Sequence, residues 1–210
     1  LKSTDKIMLG PERKSHILNK REKEVTAYHE AGHALVAHSL PNTDPVRKVS
    51  IIARGSAAGF TLKLPTEDKK LHTRSEFLEE IAVMLAGHIA EKLIFNEITT
   101  GAQSDLRQAT RLAKKIITEY GMSDKLGLRT YGEKEEMIFL GREIHERRDY
   151  SEKSAEEIDR EIDRLIAEGG KLAEKIIIER RADLEKITKN LIEKETLESA
   201  DFEELMGKKQ

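Results

Sequence analysis

At 210 residues with a formal net charge of −2, the chain can bury a core as one domain or two small ones, and it carries no basic footprint for nucleic acid. It has no Cys, which excludes disulfides and thiolate metal sites, and 36% of its residues are charged against about 25% in an ordinary soluble domain. Its apolar runs fall short of the ~18 residues that cross a bilayer.

In chain order, residues 1–19 are polar and broken by Gly10-Pro11, which reads as a linker or the end of a preceding domain. Val25, Leu35, Val36 and Leu40 predict a helix over residues 21–40, ended by Pro41. Residues 46–52 are β-branched and strand-like. The loop Gly55-Ser56-Ala57-Ala58-Gly59 follows, and then Phe60, Leu62 and Leu64 alternate with Thr61 and Lys63. Together they predict a small hairpin. Its first strand is short enough to be an edge, on which Val49, Ser50, Ile51 and Ile52 would pair with a substrate strand.

Thr73-Arg74-Ser75-Glu76 matches a capping box and opens a second helix, which should run to Phe95 and bury residues 81–90. Residues 99–102 are a loop, Ser104 is the expected N-cap of a third helix, and Gly121 its left-handed stop. From Ser154 onward Ile158, Ile162, Leu165, Gly169, Leu172 and Ile176 form a narrow seam suited to antiparallel helix pairing, with a slip at residues 181–183. The expected fold is mainly α, with a small β-hairpin and a C-terminal helical bundle.

The stretch Tyr28-His29-Glu30-Ala31-Gly32-His33-Ala34 lies on the first of these helices and reads His-Glu-x-x-His. Residues at i and i+4 share a helix face, so His29 and His33 can offer imidazole nitrogens to one metal ion. Glu30 is rotated about 100° from His29, so it can reach a water beside that metal without ligating it. Gly32, between the two His, costs about 1 kcal/mol in a helix interior relative to Ala, which predicts close approach of another segment there.

A catalytic zinc takes three protein ligands and one open position. His38 lies five residues after His33 and is rotated about 140° off the ligand face. Glu91, Asp105, His72 and His88 all stand as candidates for the third ligand, and spacing does not choose among them. Two rival readings are an inactive helical assembly module with a relic motif and a zinc hydrolase of small amides.

The motif, together with Gly10-Pro11-Glu12-Arg13-Lys14-Ser15, Val49-Ser50-Ile51-Ile52-Ala53-Arg54-Gly55, Thr99-Thr100-Gly101-Ala102, Tyr120-Gly121-Met122-Ser123, Phe139-Leu140-Gly141 and Glu193-Lys194-Glu195-Thr196-Leu197, resembles the peptidase domain of the FtsH family of ATP-dependent, membrane-anchored zinc proteases. The resemblance runs over residues 10–206. It implies one Zn²⁺ per subunit held by His29, His33 and Asp105, Glu30 as catalytic base, and Glu91 supporting a zinc-binding His. It further implies ATP and Mg²⁺ used through an ATPase module outside this chain, unfolded protein substrates, and a homo-oligomer, a hexamer. The membrane would be reached only through N-terminal segments outside the chain, at the cytoplasmic face of a bacterial inner membrane or at an organellar membrane. On this reading residues 1–15 are the tail of the ATPase plus a linker, 16–150 the zinc peptidase core and 151–210 a helical region packing on it. His88 departs from the family pattern, standing where an Arg is usual.

Overall fold

The computed structural model of the chain describes residues 19–53, 58–65, 69–132 and 149–209. The expected linker over residues 1–15, most of the loop at 55–59 and the segment 139–141 lie outside them. Among the described residues there are six α-helices and one three-stranded antiparallel sheet, so the expectation of a mainly helical domain with a small β element holds.

Helix α1 (Lys20–Ser39) opens on a capping box that the sequence reading did not identify. The Glu22 N–H donates to Asn19 Oδ1 at 2.9 Å, and the Asn19 N–H donates to Glu22 Oε2 at 3.0 Å. It stops as expected before Pro41, because the residue preceding a proline avoids the helical region, and Leu40 is extended (φ −95°, ψ 135°). At the far end of the chain the Lys209 ammonium donates to the Ala37 carbonyl at 2.7 Å, satisfying a carbonyl left open at the helix C-terminus. Helix α2 (Arg74–Phe95) has the predicted Thr73–Glu76 capping box and ends at Asn96, which adopts the left-handed conformation (φ 51°). The two helices touch through small residues. A Cβ on Gly32 would lie 2.8 Å from the Ala86 carbonyl oxygen and 2.9 Å from Ala90 Cβ, which is the predicted close approach.

Strands β1 (Val46–Ser50) and β2 (Phe60–Lys63) form the expected antiparallel hairpin, with Val49 opposite Thr61 and Ser50 opposite Phe60. A third strand, β3 (Thr196–Glu198), pairs with the other side of β1, giving the order β2-β1-β3. The expectation that residues 49–52 form an edge is therefore corrected. Val49 and Ser50 pair on both sides, and the Ile51 N–H donates to the Glu195 carbonyl at 3.0 Å. The Ile52 N–H is taken by Ser50 Oγ at 3.2 Å. Val49 is fully buried, and the pairing on both sides of Val49 and Ser50 leaves no open edge there.

A 3₁₀ turn (Thr100–Ala102) leads into α3 (Gln103–Thr118). Ser104 is not the N-cap. The helix starts two residues earlier than that, with Ala102 in the N-cap position and no side-chain cap, and the capping is done upstream by Thr99, whose Oγ1 accepts from the Gly101 N–H at 3.1 Å. Beyond α3, Gly121 is left-handed (φ 61°), as predicted. The turn after it is tied to α4 (Glu152–Glu179) by Ser123, whose hydroxyl donates to the buried carboxylate of Glu161 at 2.9 Å. Arg164 donates to both oxygens of that carboxylate, from Nε at 3.0 Å and Nη2 at 2.9 Å.

The seam on α4 differs from the predicted one. Ile158, Glu161, Leu165, Gly169, Ala173, Ile176 and Ile177 are buried, while Ile162 and Leu172 are half-buried. The stripe shifts because α4 lies against both α2 and α3 instead of forming one antiparallel pair. Helices α5 (Arg181–Lys194) and α6 (Ser199–Met206) follow the break at Arg180. One core is built from α1, the sheet, Ala173, Ile177, Leu184, Ile187, Leu191 and Phe202. A second joins Ile81 and Leu85 of α2 to Ile116 and Ile117 of α3 and to Leu165 of α4.

Candidate metal centre

The close contact of α1 with α2 decides what the two motif histidines can do. The His33 Nδ1–H donates to the Val83 carbonyl at 2.7 Å, and a carbonyl can only accept, so the lone pair of this imidazole is on Nε2. The His29 Nδ1–H donates to Glu91 Oε1 at 2.6 Å, which likewise leaves Nε2 for a metal. Both Nε2 atoms face the same point, 3.0 Å apart.

Asp105, in the first turn of α3, completes the cluster. Its Oδ2 lies 3.2 Å from His29 Nε2 and 3.6 Å from His33 Nε2. Two ligands about 2.0–2.1 Å from a tetrahedral zinc stand about 3.3 Å apart, so the three observed separations bracket the edge of a zinc tetrahedron. Among the described residues, His29, His33 and Asp105 form a group whose ligand atoms lie close enough together that they could hold a metal ion. The donor set, two neutral imidazole nitrogens and one carboxylate oxygen, is one that zinc takes. The imidazoles are buried (His29 8%, His33 9% exposed), and the Asp105 side chain keeps 23% exposure, so the cluster meets solvent on the α3 side.

Glu91 has two tasks. Besides holding His29, its Oε2 accepts from the Thr99 N–H at 2.9 Å, tying down the turn that delivers α3 and Asp105. One fully buried carboxylate thus fixes one metal-facing group directly and another through the backbone. Glu30 is buried next to His29, and Thr61 of β2 donates its hydroxyl to Glu30 Oε2 at 2.7 Å.

Electrostatics follow from these contacts. Burial alone would lower the pKa of His29, but the carboxylates of Asp105 and Glu91, one at each ring nitrogen, outweigh it and hold the group up at about 10. Burial pushes Asp105 upward, but the two imidazoles prevail and its carboxyl lies well below the usual range. Glu91 shifts down in the same way, through His29 and Thr99 acting against burial. Glu30 goes the other way: burial raises it, opposed by the nearby charges of His33 and His29.

The other candidates lie apart from the cluster. His38 packs edge-on against Phe202 at 5.6 Å, and His72 stands half-exposed beside Glu76. His88 is half-buried on α2, its Nδ1 without a hydrogen-bond partner among the described residues, and does not join the cluster. Sequence reasoning missed Thr61, the Val83 carbonyl, Thr99 and Gly87. Two of them left a signal: Thr99 in the stretch Thr99-Thr100-Gly101-Ala102, and Gly87 as a glycine in mid-helix four residues before Glu91.

Comparison with known proteins agrees with this geometry. Residues 16–205 match the model of peptidase family M41. The chain is 51% identical over 96% of its length to ATP-dependent zinc metalloprotease FtsH 1 of Thermomicrobium roseum, of which it covers 31%. It is 50% identical over 96% of its length to the protein of the same name from Thermoanaerobacter sp., covering 33% of it. With ATP-dependent zinc metalloprotease FtsH 3 of Petrotoga mobilis it shares 44% identity over 97% of its length, covering 32%. The chain therefore spans about a third of the length of the curated relatives it matches.

Proposed function

Because the chain belongs to peptidase family M41, we propose that it is the peptidase part of an ATP-dependent zinc metalloendopeptidase that hydrolyses peptide bonds of unfolded or membrane-extracted proteins in protein quality control. The observation that carries this reading is the convergence of His29 Nε2, His33 Nε2 and Asp105 Oδ2 at 3.0–3.6 Å, with the opposite nitrogen of each imidazole already engaged.

In this reading His29, His33 and Asp105 hold one zinc ion. Bound there, zinc supplies Lewis acidity, bringing the pKa of a water toward about 7 and polarising the scissile carbonyl. Glu30 takes the proton of the attacking water and passes it to the leaving amine. A carboxylate whose pKa is raised by burial is suited to both halves of that transfer. Thr61 keeps one carboxylate oxygen engaged, which fixes the orientation of Glu30. Glu91 keeps the proton of His29 on Nδ1.

Substrate pairing, expected on residues 49–52, moves in this proposal to β2. It is the outer strand next to Glu30, and no described strand pairs with its other side. Main-chain pairing gives affinity with little sequence preference, as a protease handling many unfolded chains requires. Use of ATP and Mg²⁺ through an ATPase module, assembly as a homohexamer and attachment at the cytoplasmic face of a membrane belong to the proposal for the whole protein. No described helix is long and apolar enough to cross a membrane. The division into residues 1–15, 16–150 and 151–210 belongs to the proposal as well.

The test is zinc content and casein cleavage of the wild type beside Glu30→Gln. The variant should keep its metal while hydrolysis falls roughly 10²–10⁴-fold, the worth of a general base. A Glu30→Gln protein cleaving casein at the wild-type rate would overturn the assignment.

A further inference from the structure

Helix α2 meets the metal cluster through three positions one turn apart. Val83 and Glu91 take the Nδ1 protons of His33 and His29. Gly87, between them, contributes by what it lacks. A Cβ built there would lie 2.5 Å from both Cε1 and Nε2 of His29 and 2.6 Å from Nε2 of His33. No side-chain carbon comes that close to a ring atom, so any residue but glycine would have to push both imidazoles away.

We propose that Gly87 is a positioning residue of the metal centre: the missing side chain is what lets His29 and His33 bring their Nε2 atoms to one zinc ion. The inference rests on the zinc reading above. A purely architectural glycine would be hemmed in by other atoms. The Cβ of a residue at 32 would strike the Ala86 carbonyl, and that of a residue at 169 would strike Ile81, both parts of the helix packing. At Gly87 the nearest obstacles are the outer atoms of two side chains that can turn. Alanine there can be housed if the rings rotate, and it favours the helix more than glycine does. That rotation breaks the bonds of both Nδ1 atoms and separates the two Nε2 atoms. The fold should therefore survive the substitution, and the zinc affinity should not.

Zinc affinity is measured by competition with a chromogenic chelator, and unfolding of the chelator-stripped protein by circular dichroism. The proteins are the wild type, Gly87→Ala and Gly170→Ala, the last being a control whose added Cβ would meet only ordinary contacts at 3.9 Å. Gly87→Ala should unfold cooperatively near the wild-type temperature yet bind zinc more than ~100-fold more weakly, beyond the usual effect of a partner behind the ligands. Gly170→Ala should keep its affinity. Wild-type affinity in Gly87→Ala overturns the proposal, as does an equal loss in Gly170→Ala. A wild type that binds no zinc overturns the metal reading and this inference with it. If Gly87→Ala does not fold, the same change is made in a His29→Ala, His33→Ala background. Cooperative unfolding regained there supports the steric assignment, and continued failure refutes it.

Discussion

Replacing Glu91 separates its two tasks. Its Oε1 receives the His29 Nδ1–H at 2.6 Å and its Oε2 the Thr99 N–H at 2.9 Å, and the Glu91 side chain itself is buried. Hydrogen bonds to a charged group contribute about 1.5–3 kcal/mol, and 1.4 kcal/mol is about tenfold in an equilibrium constant. In Glu91→Gln the amide oxygen can serve one of these donors, while its NH₂ confronts the other. Either the Thr99 turn loosens or His29 shifts its proton to Nε2, and zinc affinity should fall about tenfold. Glu91→Ala frees both donors, so the His29 ring and the start of α3 lose their anchor together, and the loss should approach 100-fold. Asp105→Ala removes a ligand and should leave no measurable binding. The assay is chelator competition at fixed pH and salt. Wild-type affinity in Glu91→Ala would refute the idea that this carboxylate holds the site. If Glu91→Ala loses metal outright while Asp105→Ala merely weakens, the two residues exchange roles.

Three further outcomes are expected. In protein stripped of metal, His29 with its pKa near 10 carries a proton that zinc must displace, so apparent affinity should tighten about tenfold per pH unit from pH 7 to 9, and a flat profile would refute the coupling. The same raised pKa, against about 6.5 in the unfolded chain, stabilises the stripped protein most below pH 6.5, and that contribution should disappear as pH rises through 10. Ile51→Pro removes a donor to the Glu195 carbonyl just past the end of the middle strand and should cost roughly 1–3 kcal/mol in urea unfolding; unchanged stability with only the peptide KM raised would restore the edge-strand reading.

The parts of this protein written in local spacing were legible in its sequence. His29, Glu30 and His33 lie within five consecutive residues of one helix, and Thr73 with Glu76 and Leu40 with Pro41 set helix ends by bonds and clashes between residues no more than three positions apart. Contacts between distant segments left weaker traces. Asp105 reaches His29 across 76 residues, so periodicity could not choose it over Glu91, His72 or His88, and only the family resemblance did. Strand β3 is three residues long, too short for alternation to show, and missing it turned a middle strand into a supposed edge. Ser104 was a reasonable cap by residue type. The 3₁₀ turn moved the helix start upstream and gave the capping to Thr99.

The two glycines that face each other's helices share one cause. For His33 to keep its proton on Nδ1, α2 has to offer a main-chain carbonyl, and a carbonyl in mid-helix can be reached only if the partner helix comes unusually near. Packed helices usually keep 8–10 Å between axes, with bulky side chains filling the space. Here Ala27, Ala31, Ala34 and Ala37 of α1 and Ala82, Ala86 and Ala90 of α2 are all buried in place of larger residues. Gly32 leaves room for the Ala86 carbonyl, and Gly87 leaves room for the imidazoles. Such an interface forgoes about 0.8 kcal/mol for every CH₂ not buried. The shortfall is offset behind it, where Leu165, Ile177, Leu184, Ile187 and Leu191 of α4 and α5 are buried almost completely. The C-terminal helices thus supply apolar burial that the close α1–α2 pair gives up in order to hold its histidines.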